Sequence, residues 1–170
     1  MQPVGSPGFK QNLVRASLEY SANVCLERGE NLREQARILV VEQDETLRSS
    51  LIVALEGAGF EVTSASDGFE GLNSYYESYP DLVIMGNELP EVNGAAPASK
   101  VRQASYLPII TLGNDPQAVD DVLNQGADDY MAAPISHPEL VARVRSLLRR
   151  RWGQSRTGIN SSPNKAPVLG

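Results

Sequence analysis

One cysteine and one histidine occur in the 170 residues. The lone Cys25 excludes an internal disulfide, which fits a reducing cytoplasm, and cytoplasmic localisation is the expectation. His137, next to Pro138, has no second histidine with which to build a metal or proton-relay cluster, so a capping or surface role is expected of it. Long apolar runs are also missing: the longest, such as Ile38 to Val41, span about five residues, far short of a membrane helix. The start, Met-Gln-Pro-Val-Gly, lacks the basic and apolar segments of a secretory signal. Hydrophobic residues nevertheless make up 41% of the chain, enough for a real core, and the length suits one domain.

Charge is unevenly spread. Residues 1–36 hold four Lys/Arg and four Asp/Glu, residues 37–150 hold eight against seventeen, and residues 151–170 hold three basic and no acidic groups. An acidic body is a poor non-specific nucleic-acid binder, because phosphate contacts need Lys and Arg. Most of the excess falls on helices and turns (Asp67, Glu70, Glu77, Asp120, Asp121), so it reads as a surface property and not as a metal site.

Three zones follow. Residues 1–35 read as an N-terminal helical extension: Ser6-Pro7 suits a helix start, and Leu13, Ala16, Tyr20 and Val24 recur at helical spacing before Gly29. Residues 151–170 lack periodicity and read as a linker or disordered tail. In 36–150, short unalternated apolar runs at 38–41, 82–85 and 108–112, with further strands at 61–64 and 129–132, alternate with helical patterns at 45–56, 68–78, 95–104, 115–124 and 137–150. That is the signature of a doubly wound α/β fold, a five-stranded parallel sheet covered on both faces. Its functional crevice lies beyond the carboxyl ends of the strands, at Glu42-Gln43-Asp44, Gly86-Asn87-Glu88, Gly113-Asn114 and Ala133-Pro134.

At those loops the chain resembles the receiver domain of two-component response regulators. The resemblance rests on an ordered set: Arg37-Ile-Leu-Val-Val-Glu-Gln-Asp-Glu, Gly59-Phe-Glu-Val, Ala65-Ser-Asp-Gly-Phe-Glu-Gly-Leu, Pro80-Asp-Leu-Val-Ile-Met, Leu89-Pro90, Pro108-Ile-Ile, Gly126-Ala-Asp-Asp-Tyr, Pro134, and Glu139-Leu-Val-Ala-Arg-Val-Arg-Ser-Leu-Leu-Arg-Arg. The Gly-Ala-Asp-Asp-Tyr and Glu-Leu-Val-Ala-Arg-Val-Arg segments look most like the OmpR/PhoB-like subfamily. The resemblance implies the flavodoxin-like strand order 2-1-3-4-5 and, in such regulators, a winged-helix DNA-binding domain downstream.

It also implies a phosphorylation pocket of two acids after the first strand, an acceptor aspartate, a Ser/Thr and a lysine. Here those positions read Glu42, Gln43, Gly86, Gly113 and Ala133. Gly86 offers no nucleophile, Gly113 no hydroxyl and Ala133 no ammonium, so the site is read as a degenerate, non-phosphorylatable pocket with no catalytic residue, metal or cofactor. Losing acceptor and lysine together avoids stranding one buried charge, which costs roughly 3–5 kcal/mol. Asp44, Glu88 and Asp81 are weak substitutes as acceptors. Asn160-Ser161-Ser162 matches a glycosylation acceptor that a cytoplasmic chain would not use.

Tyr130 stands at the family's switch aromatic; beside Gly113 its ring either stays inward permanently or is simply a strand aromatic. The last two helix–strand units would form the dimer face, with Asp129–Arg143 and Asp128–Arg150 as pairings and Glu139 facing Val119 in place of a base. The leading reading is a phosphorylation-independent regulatory domain of a DNA-binding transcriptional regulator. It would act as a homodimer, touch DNA only through a downstream effector domain outside this chain, and keep off membranes. Ala166-Pro-Val-Leu-Gly suggests a fragment ending just before that domain. The alternative is a stand-alone module that binds a protein partner or, in the emptied pocket, a small ligand.

Overall fold

In a computed structural model, residues 35–92 and 96–157 are described, the last five of these for their backbone only. Five strands, β1 (Arg37–Val41), β2 (Glu61–Ala65), β3 (Leu82–Gly86), β4 (Ile109–Gly113) and β5 (Asp129–Ala132), form one sheet in the order β2-β1-β3-β4-β5. All four pairings are parallel. The connecting helices are α1 (Glu45–Gly57), α2 (Gly68–Ser78), α3 (Pro97–Ala104), α4 (Val119–Asn124), which follows a 3-10 turn at Pro116–Ala118, and α5 (His137–Thr157). The expected fold is therefore the observed one.

Both faces of the sheet are covered, which explains why the strand runs do not alternate with polar residues. Successive side chains leave a strand on opposite sides. Ile38, Val40, Leu82, Ile84, Ile110 and Leu112 meet Leu51 and Leu55 of α1 and Leu140, Val144 and Leu148 of α5. On the other side, Leu39, Val41, Val83, Met85, Ile109 and Tyr130 meet Ala98 and Val101 of α3 and Val122 of α4, with Leu72 of α2 packed against them. Each leucine or isoleucine so buried contributes about 1.5–3 kcal/mol.

Local chemistry sets the helix starts. Asp44 caps α1 by accepting from Leu47 N at 2.6 Å, and Asp67 caps α2 by accepting from Phe69 N and Glu70 N at 2.9 and 2.8 Å. Glu70 reaches back past the cap, accepting from Ser66 N at 2.6 Å and Ser66 Oγ at 2.8 Å. The hydrogen bonds to Ser66 hold the Glu70 carboxyl below its ordinary pKa. After α4 the chain turns at Gly126 with φ +108°, a conformation that favours glycine.

One boundary differs from expectation. Residues 151–157, expected as linker, continue α5. Arg151 anchors the extra turns: its Nη1 donates to the carbonyl of Asp81 at 2.9 Å, at the far end of β3. The N-terminal helical extension expected over residues 1–35, with Cys25, lies outside the described residues except for Gln35, as does the tail from 158. Among the described residues no helix is long and apolar enough to cross a membrane.

Candidate functional site

The register Val41↔Met85 and Gly86↔Leu112 brings the carboxyl ends of β1, β3 and β4 together, and Gly113↔Ala132 adds β5. The crevice opens where strand order reverses, between β1 and β3. Glu42 follows β1, tied in place by its own N–H on Ala65 O at 3.0 Å. One carboxylate oxygen accepts from Asp44 N at 3.0 Å. The other lies over Gly86, so close that a Cβ there would sit 2.5 Å from Oε2. The space a side chain at 86 would use is occupied by Glu42. Arg48 holds this loop from α1, donating to the carbonyls of Glu42 at 2.6 Å and Gln43 at 3.3 Å.

Gly113 has a matching plug. Tyr130 is 7% exposed and its hydroxyl donates to Asp115 O at 2.7 Å. A Cβ on Gly113 would overlap that hydroxyl and lie 3.0 Å from two ring carbons. The ring is thus turned inward in this structure. Burial, then the neighbouring Asp115 charge, raises the Tyr130 pKa above its ordinary value of 10.0. Ala133 is exposed and its N–H continues the ladder to Gly113 O at 2.8 Å, ahead of a cis bond to Pro134. Across the mouth, Asn114 Nδ2 donates to Glu88 Oε1 at 2.9 Å and joins the loops after β3 and β4.

This donor set does not fit the magnesium ion of a phosphoryl-transfer pocket, which takes carboxylates plus phosphate oxygens. Asp44 spends an oxygen on the α1 cap, Glu42 is turned over Gly86, and Gln43 offers an exposed amide. Of the other candidate acceptors, Asp81 is 1% exposed at the opposite end of the sheet, where Oδ2 accepts from Arg37 N at 3.0 Å. His137 opens α5; Ser136 supplies the cap, its Oγ accepting from Glu139 N at 3.4 Å.

On α5 and β5, Arg143 grips Asp129 with two bonds of 2.7 and 2.8 Å and Glu139 with two of 2.7 and 3.2 Å. These bonds, Asp129 first, raise the guanidinium pKa. Asp128 does not pair with Arg150. It accepts from Arg102 Nη2 at 2.5 Å and Ile109 N at 2.8 Å, because it precedes β5 at the edge facing α3. Arg150 is exposed and makes no ion pair among the described residues. Val119, expected as an apolar element of the surface, is partly buried against the inner cluster, and the exposed apolar side chain of α4 is Leu123, 40% exposed. Sequence reasoning placed Asn114 in a crevice loop but missed its bond to Glu88, and missed Arg102, Arg48 and Leu123. Arg102 and Asn114 act across 26 residues, a separation for which the sequence holds no local signal.

The profile of the response regulator receiver domain matches residues 38–145. A DNA-binding response regulator, MtrA of Mycolicibacterium paratuberculosis, is 42% identical over 116 residues, 67% of this chain and 52% of that protein. The transcriptional regulatory protein CseB of Streptomyces avermitilis is 36% identical over 139 residues, 81% of this chain and 57% of that protein. The chain therefore spans about half the length of these curated relatives. A two-component response regulator from Clostridium difficile superposes with a TM-score of 0.63 at 28% identity, covering 69% of this chain and 98% of its own.

Proposed function

The chain belongs to the response regulator receiver domain family, and from that premise we propose that it is a phosphorylation-independent receiver serving a DNA-binding transcriptional regulator. The reading rests on one observation above the rest: both glycines of the pocket are filled from within, Gly86 by the Glu42 carboxylate and Gly113 by the Tyr130 ring. A pocket with glycine at the acceptor position has no carboxylate there to phosphorylate, and Glu42 and Tyr130 stand where side chains at 86 and 113 would lie. Output then comes from a fixed α4-β5-α5 surface, where Arg143 ties Asp129 and Glu139 together. Two copies joined through it would set two effector domains on neighbouring half-sites. The relatives' names support a DNA-binding output, which in this protein would come from a domain outside residues 1–170.

Beryllofluoride with magnesium, titrated against the labelled chain by NMR, tests the first half. No saturable shift is expected at Glu42 or Gly86, and acetyl phosphate should leave the intact mass unchanged; a saturable shift there sinks the reading. Sedimentation tests the second half. The chain should dimerise, Arg143→Ala should weaken the dimer, and a parent chain monomeric at high micromolar concentration removes dimerisation from the proposal.

A further inference from the structure

Helix α5 carries two basic stripes. Glu139, Arg143 and Arg150 share the one beside β5, at spacings of four and seven residues. The other comprises Arg145, Arg149 and Trp152, again four and then three residues apart, with Arg156 next in the same helical phase. Arg145 and Arg149 are exposed and Trp152 is 44% exposed. Arg145 makes one long bond of 3.3 Å to Ala58 O, and Arg149 has no partner among the described residues. From 145 to 157 there are five arginines and no acid, in a chain whose net charge is −6.

The ordinary account of such arginines is that they complement the negative end of the helix dipole. It would suffice if the helix stopped at residue 150. Because α5 runs to Thr157, Arg145 and Arg149 lie more than a turn inside it, beyond the reach of an effect confined to the last turn. Nor does burial use them. At 1.5 Å per residue, positions 145 to 156 of the helix span about 16 Å.

We propose that this stripe is a contact for the phosphate backbone of duplex DNA, made by the receiver itself in addition to any effector domain. Charge complementarity carries the assignment: a row of planar fork donors, held internally among the described residues only by the long Arg145 bond to Ala58 O, suits phosphate oxygens. The choice of DNA as the polyanion rests on the transcription-regulator reading above. The acidic remainder of the domain turns away other approaches and leaves this row as the side a polyanion meets.

Trp152 is the single tryptophan, so its emission reports on this stripe alone. The chain is titrated with a duplex of arbitrary sequence, about 20 base pairs long, from about 50 mM salt upward. A saturable change in emission is expected, with a log–log salt slope of about −3 for three phosphate contacts. Arg149→Ala should weaken binding several-fold and reduce the slope by about one. Arg150→Ala, on the other stripe, should change neither. An emission unmoved by duplex, an Arg149→Ala chain that binds as its parent does, or a response to phosphatidylserine vesicles without one to duplex overturns the proposal. Sedimentation of the same variants keeps the two readings separate: loss of the dimer with the DNA titration intact removes the dimer and leaves this contact standing.

Discussion

Single atoms decide the character of the pocket. Gly113→Ala should destabilise the domain by about 1–3 kcal/mol, since the added methyl meets the Tyr130 hydroxyl and ring. In a Tyr130→Phe background the same substitution should cost less, and a urea double-mutant cycle reads the difference. The tyrosine also predicts a pH dependence. Its folded pKa is raised above the unfolded value near 10, so its stabilising contribution is complete below pH 10 and is lost as pH rises through the folded pKa. Denaturation at pH 8 and pH 11 should show a smaller loss for Tyr130→Phe than for the parent. A third residue is Thr111, 2% exposed, whose hydroxyl has no partner. Thr111→Val should raise stability by about 1 kcal/mol in urea denaturation. That positions 42, 86, 113 and 133 meet at one end of the sheet was legible from the sequence, because flanking motifs fix their register. The plugs were not, because which way Glu42 and Tyr130 turn depends on space left by residues 44 and 17 positions away in the chain.

Among the elements, strand and helix order was legible because apolar runs and capping aspartates recur in register with the fold. The end of α5 was not. Trp-Gly-Gln-Ser-Arg-Thr carries no apolar period, and its helical form is secured by an anchor 70 residues away, Arg151 on Asp81 O. Cutting the chain after residue 150 should therefore lower stability by about 1 kcal/mol against a cut after 157, the worth of an ordinary hydrogen bond. The Arg143 fork belongs to the same scale. Glu139 is half exposed, so Glu139→Ala should cost under about 1 kcal/mol, with Asp129→Ala, the more buried partner, costing more. Guanidinium melts of the two variants check the order.

For the molecule as a whole, the acid–base arithmetic of the sequence located a boundary that the structure moves. The basic charge assigned to a tail begins inside a helix, at Arg151. The Asp81 clasp has a further consequence, for how the chain acquires its fold. It joins the start of β1 through Arg37 N, the start of β3, and the last turns of α5 through Arg151, across sequence separations of 44 and 70 residues. Contacts so distant close late, after the loops between them have lost their freedom. All the partners of this clasp are present only once residue 151 has been synthesised, so a chain ending before it should fold without this contact.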